Sequence, residues 1–140
     1  MLNQELLKID LSAAAAGSAG TAVDGASVDM SGYEGAMFHC TIATANAGNF
    51  IKVQGSDNNS DWDDLADTAV IAATNADIVL IEVLKPKHRY LRPVVIRAGA
   101  NTATGDLYAI RYGARKEPVQ NAEAGVLVEA AVVTPEEGTA

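Results

Sequence analysis

The chain reads as all-β: a single-domain antiparallel β-sandwich or small barrel. Three observations predict this. Short segments alternate apolar and polar residues at period two, which is the repeat of a strand with one buried face. Clusters of Gly, Asn, Asp and Ser separate those segments at nearly every junction. The apolar content is 49%, drawn mostly from alanine and valine, while aromatics are only 5%. Small and β-branched side chains suit thin sheets better than thick helical cores. At 140 residues the chain is the size of one domain. A domain of this length buries about two-thirds of the surface its unfolded chain exposes, so it needs no disulfide or metal to hold together.

Residues 1–22 form a distinct leader. "NQELLKIDL" is short and weakly amphipathic, and "SAAAAGSAG" is a low-complexity connector without anchoring side chains. Two readings follow: a frayed terminus, or an N-terminal arm that orders on a neighbouring subunit through Leu2, Leu6, Leu7 and Leu11.

Residues 23–113 carry the strands. "AVDGASVDM" offers Val23, Val28 and Met30 with acids beside them. "GAMFHCTIAT" places Met37, His39 and Thr41 on one face and Phe38, Cys40 and Ile42 on the other. "NFIKVQGS" puts Phe50 with Lys52, and Ile51 with Val53. "ADIVLIEVL" is an apolar run of strand length, and "RYLRPVVIRA" and "GDLYAIRYGA" follow. The turn clusters are "TANAGN", "GSDNNSD", "ATNAD" and "RAGANTATG". Six or so short strands joined this way predict a sandwich, jelly-roll-like, or a barrel. Residues 114–140 form a C-terminal extension. In it "VLVEAAVV" reads as one further strand that returns to its own sheet or pairs with another subunit.

Charge and motifs exclude several classes. A net charge of −8 opposes nucleic-acid binding, which needs a basic face. No apolar run reaches the length of a membrane span, and "MLNQELLKID" lacks the basic start and apolar core of a secretory signal. The expectation is a soluble chain made in a cytoplasm. The lone Cys40 cannot make an internal bridge, and its apolar surroundings mark it as an inert buried thiol.

The loop "SDNNSDWDDLAD" alternates oxygen ligands at Asp57, Asn59, Asp61 and Asp63, as a calcium loop does. Yet Trp62 and Thr68 stand where that loop needs Gly and Glu. A hairpin whose Asp and Asn side chains cap their own backbone is the reading preferred. His39 and His88 sit in no metal-ligand spacing, and His39 points away from Cys40 along a strand. Without a nucleophile elbow, P-loop or dinucleotide fingerprint, the chain is expected to be neither an enzyme nor a cofactor or metal protein.

One stretch stands apart. "KPKHRYLRPVVIR", residues 85–97, holds Lys85, Lys87, Arg89, Arg92 and Arg97, five of the ten basic residues of an acidic chain. Lysines and prolines guard edge strands against unwanted pairing, which accounts for Lys85 and Lys87. The arginines are better explained by contact with acidic surface, either the chain's own 57–67 loop or that of another subunit. In an extended strand Lys85, Lys87 and Arg89 would project to one side, and His88, Tyr90 and Arg92 to the other.

Taken together, "VDMSGYEGAMF", "VQGSDNNSDWDDLADT", "KPKHRYLRPVV", "IRYGARKEPV" and "TPEEGTA" resemble a family of tailed-bacteriophage head decoration, or cement, proteins. The resemblance covers most of residues 24–140. It implies a compact β domain on the capsid exterior of the virion that binds the major capsid protein and clamps adjacent capsomers. It also implies a homo-oligomer, a trimer ahead of a dimer, whose termini order on docking. Within that reading the basic strip is an interface. The alternative is a β-sandwich recognition module of the phage tail or virion surface that binds carbohydrate or receptor, with Trp62 as its aromatic platform.

Overall fold

Period-two alternation builds the structure. In the computed structural model, which describes residues 6–116, 119 and 121, the described residues form strands, turns and loops and no helix. Numbered in chain order, the first six strands are β1 (Lys8–Ala13), β2 (Ala16–Ala19), β3 (Val23–Asp24), β4 (Val28–Asp29), β5 (Gly35–Ile42) and β6 (Asn49–Ser56). The rest are β7 (Asp63–Asp64), β8 (Val70–Ile71), β9 (Asp77–Leu84), β10 (Tyr90–Arg97), β11 (Thr102–Thr104) and β12 (Leu107–Tyr112).

Every pairing is antiparallel, and several short strands join end to end into longer lines. In sheet I, β1 and β2 run in succession along β12 and β11, which flank β5, with β9 on the far side of β5. In sheet II, β3 and β4 run along β10, which pairs with β6, and β6 pairs with β7 and β8. Counted as lines of chain, sheet I is ordered first, eighth, third, sixth, and sheet II second, seventh, fourth, fifth. This is jelly-roll connectivity, and the all-β antiparallel sandwich expected from the sequence is the fold.

The two sheets bury one face each against the other. Ala36, Phe38, Cys40 and Ile42 of β5 point inward with Ile51 and Val53 of β6 and Leu91 and Val95 of β10, all at 1% exposure or less. Phe38 is the largest fully buried side chain, so one aromatic fills the centre and small aliphatics fill the rest. His39 faces outward and Cys40 inward, as their parity requires.

Prolines suit a strand start, a bulge or an exposed edge, but Pro93 lies inside β10, between neighbours on both sides. The break between β3 and β4 falls beside it, so the missing N–H interrupts no ladder. Its carbonyl accepts the Gly25 N–H at 2.8 Å. A Cβ on Gly25 would lie 2.3 Å from Ser12 Oγ and 2.8 Å from Pro93 Cγ, so only glycine fits there.

The leader boundary expected at residue 22 falls inside the sandwich. β1 pairs with β12 from Lys8↔Arg111 to Ala13↔Leu107, and β2 pairs with β11. Ladder hydrogen bonds are made by main chain, so a run of Ala, Ser and Gly can pair without side-chain anchors. Beyond the last strand, the buried Asn121 donates to Leu7 O at 2.7 Å and accepts from Ile9 N–H at 2.8 Å. It thereby binds the edge of β1 that faces away from β12. The further strand expected in "VLVEAAVV" lies outside the described residues.

Two groups make the fold sensitive to alkali. Burial pushes the Cys40 thiol up to about 11 from 9.0. Burial and the hydrogen bond to the Glu82 carboxylate push the Tyr112 hydroxyl up to about 12 from 10.0. A raised pKa means that the folded state holds its proton longer than the unfolded chain does. Each contribution is therefore complete below the unfolded value and is lost as pH climbs to the folded one. The thermal midpoint is expected to fall from about pH 9 upward, in the windows of these two groups. In Cys40→Ala the decline should begin nearer pH 10, and in the double variant with Tyr112→Phe it should flatten further. Identical pH profiles for wild type and the double variant would contradict this.

Candidate interaction surfaces

The basic stretch is not one continuous strand. β9 ends at Leu84, Lys85 turns the chain with a left-handed φ of 50°, and the ladder resumes only at Tyr90. Lys85 donates its N–H to Glu34 O at 2.8 Å, and its Nζ lies 3.9 Å from the Glu34 carboxylate. The alternate projection expected over the whole stretch therefore applies from Tyr90 onward.

Most of the strip's charge meets acids or carbonyls of its own chain. Arg89 donates to both carboxylate oxygens of Asp29, the shortest bond being 2.9 Å. That pairing, aided by the Ser31 N–H, holds the Asp29 carboxyl below its usual range against the opposing effect of burial. His88 Nδ1 lies 3.1 Å from Asp57 Oδ1. Arg92 donates to Gln54 Oε1 at 2.8 Å, lies 4.0 Å from Asp24, and stacks its guanidinium 4.5 Å from the Trp62 ring centre.

Arg97 departs furthest from the expectation of a contact residue. It is 5% exposed and donates to Thr21 O at 2.6 Å, Gly17 O at 2.8 Å and Thr102 O at 3.0 Å. Its guanidinium is a buried strut that fastens the 17–21 segment over the end of the sandwich. The sequence hid this, because carbonyl partners carry no residue signature.

Around the start of the strip lies a cleft of about 800 Å³, lined by Tyr33, Glu34, Asp57, Lys85, Lys87 and Arg115 among others. Lys87 and Arg115 are exposed and make no ion pair among the described residues. Arg111, which sequence reasoning passed over, braces the adjoining part of the sandwich. It donates to Asp29 O at 2.8 Å and Asp10 Oδ2 at 2.9 Å, and its guanidinium stacks 4.6 Å from the Tyr33 ring centre. One side chain thus ties β12 to β1 within sheet I and to β4 of sheet II.

The acidic loop caps itself, as expected. Asn58 Oδ1 accepts the N–H groups of Ser60 and Asp61, and Asn58 Nδ2 donates to Asp61 Oδ2 at 2.7 Å. Among the described residues no three His, Cys, Asp or Glu groups are arranged to hold a metal ion.

The outer faces of the two sheets differ in kind. On sheet II, Arg92, Gln54, Asp64 and Lys52 form a polar chain with contacts of 2.7 to 2.8 Å. Hydrogen bonds from Lys52 and Gln54 hold the Asp64 carboxyl below its usual range. On sheet I the outer positions fall into cross-strand rows. Leu11, Tyr108, His39 and Leu80 pair in succession across β1, β12, β5 and β9. Ile9, Ile110, Met37 and Glu82 form the next row.

The border of this face is the most exposed part. Ile78, Leu80 and Leu84 on β9 are 70%, 54% and 58% exposed. "DIVLIEVL" is apolar at both parities, which is the sequence signal for a strand that needs cover on two sides. Of the leader leucines expected to make contacts, Leu11 belongs to this face at 37% exposure and Leu6 and Leu7 are half-buried. Leu2 lies outside the described residues.

No family model and no curated protein matches the chain. Among solved structures, the chain is similar to the PBSX exported protein XepA, with a TM-score of 0.53 and 21% identity over 92% of this chain and 44% of that one. It thus spans less than half of that protein's length. The SPBc2 prophage-derived protein YomS aligns over 75% of this chain and 91% of its own, with a TM-score of 0.45 and 11% identity. At this level the likeness to XepA is one of fold.

The geometry separates structural from exposed cations. Arg97→Ala is expected to cost about 3 kcal/mol, since it strips charged donors from buried carbonyls. Lys87→Ala, on an exposed side chain without an ion pair, should stay within about 0.5 kcal/mol of wild type. Denaturant titration of both variants measures the difference, and equal effects would refute the assignment.

Proposed function

We propose that the chain is a structural protein of a tailed-bacteriophage particle, a decoration protein that binds the outer surface of the capsid and stabilises adjacent capsomers. The observation that carries this reading is the division of its surface. A rigid jelly roll presents one polar outer face, one apolar outer face and a cleft bearing Lys87 and Arg115. Such a surface is suited to protein contact. The likeness of fold to XepA, by its name an exported protein of PBSX, adds support.

In this reading the cleft docks acidic segments of the capsid protein, and the remaining acidic exterior keeps neighbouring copies apart. The recognition-module alternative has less support, because the one tryptophan, Trp62, has Arg92 stacked on its ring.

The deciding measurement is the copy number of this chain in purified particles. Many copies per capsid, in proportion to capsomers, are expected, and a few copies confined to tails would refute the reading. Reversal of charge in Lys87→Glu with Arg115→Glu should lower capsid occupancy without lowering stability. Added salt should weaken wild-type binding in the same direction.

A further inference from the structure

We infer that the outer face of sheet I is a self-association surface, covered face to face by the same face of a second copy of this chain. The inference goes beyond the proposed function, since it concerns the free protein before any particle is met.

Four adjacent lines of strand build this face. With strands about 4.8 Å apart and residues about 3.4 Å apart, β1, β12, β5 and β9 present a flat footprint on the order of 450 Å². Side-chain relief raises the accessible area above the flat figure. Two such faces together approach the roughly 1,200 Å² at which specific interfaces begin. The exposed Ile78, Leu80 and Leu84 stand at its border, and Leu11 lies on the opposite side.

Charge points to a copy of the same face as the occupant. Within the two outer rows the carboxylate is Glu82, which accepts the Tyr112 hydroxyl, and the other ionisable groups are His39 and Tyr108; a second carboxylate, Asp106, abuts the end of the face and accepts the Tyr108 hydroxyl at 3.3 Å. Two copies therefore stack with little like-charge opposition, although the whole chain carries −8. An apolar face of this kind matches permanent interfaces better than transient ones.

The edge supports the same conclusion. β9 pairs only with β5 among the described residues, and its guards, Lys85 and Pro86, lie past its end, so the outward Ile78, Leu80 and Leu84 have no charge beside them except Glu82. A surface left so unguarded needs cover as soon as the chain folds, and an identical chain is present at that moment in equal number. Identical faces stacked about 10 Å apart make a two-fold, isologous pair. The family resemblance implied a trimer ahead of a dimer, so this arrangement is a distinct claim.

Sedimentation of the purified full chain at micromolar concentration tests it. Wild type should have the mass of two chains or an even multiple. Ile78→Arg with Leu80→Arg should weaken association on the order of a hundredfold and give single chains. Both side chains are more than half exposed, so the variant should keep the wild-type circular dichroism spectrum. Ile71→Arg, at a 52% exposed position on sheet II, should leave the mass unchanged.

A second readout identifies the cover. Cys40 is buried, so Leu80→Cys supplies one accessible thiol. Maleimide should label it slowly in the pair and rapidly after dilution. A single-chain wild type, an odd-numbered assembly, or dissociation by Ile71→Arg would overturn the inference. So would a monomer whose Leu80→Cys thiol stays shielded, which would assign the cover to this chain's own residues beyond 121. None of these measurements involves a capsid, so failure here leaves the count of copies in particles untouched.

Discussion

The structure depends on the strict alternation of β5 at the centre of sheet I. Its inward residues, Ala36, Phe38, Cys40 and Ile42, meet the residues of β6 and β10 that close the core. Because the pleat has period two, fixing those residues inward fixes Met37, His39 and Thr41 outward. A slip of one residue would send Phe38 to solvent and His39 into the core. Every neighbour inherits that register: β9 through eight successive pairs, and β12 through five. The outer rows of sheet I, apolar as they are, follow from the burial of Phe38.

Charge is handled differently at the two ends of the basic stretch. Near its start, cations face solvent and the cleft, and their pairings are exposed, so each is worth only ~0–1 kcal/mol. Near its end, Arg97 is sealed among carbonyls and cannot be removed without leaving polar groups stranded. A sequence-level count sees five equivalent positive charges; burial divides them into surface and scaffold. Asn49 is a neutral counterpart of Arg97. Fully buried, it donates to Thr44 O and Ala100 O at 3.0 Å and accepts from Gly99 and Ala100, locking two turns together.

What could be read in advance follows the same physics. β5 and β6 were legible because their buried and less buried positions alternate over most of each strand, from Ala36 to Ile42 and from Asn49 to Gly55. The self-capped loop was legible because Asn58 and Asp61 bond locally. β2 was obscure, since Ala, Gly and Ser give no face to a pattern and the ladder that holds it is main chain; β1 was obscure because its apolar residues, Ile9 and Leu11, lie on the outer face of the sheet. β9 was recognised as a strand, but its two apolar parities concealed which side was solvent. Arg111 was missed because its partners, Asp10 and the Asp29 carbonyl, lie about a hundred and about eighty positions away in the chain.

The pairing of β1 with β12 sets a clock on biosynthesis. Lys8 leaves the ribosome early, but its partner Arg111 emerges after a hundred further residues, and Asn121, which caps the β1 edge, comes later still. At ordinary elongation rates of ~5–20 residues per second, the first strand waits for seconds with both edges unpaired. β6 and β10 can join only once Arg97 has emerged, shortly before β12. For most of that wait neither the β1–β12 nor the β6–β10 ladder can form, whereas β5 and β9 can pair once residue 84 has emerged. Nascent-chain chaperones would meet β1 while it is unpaired, and the β1–β12 seam can close only after Leu107–Tyr112 has emerged.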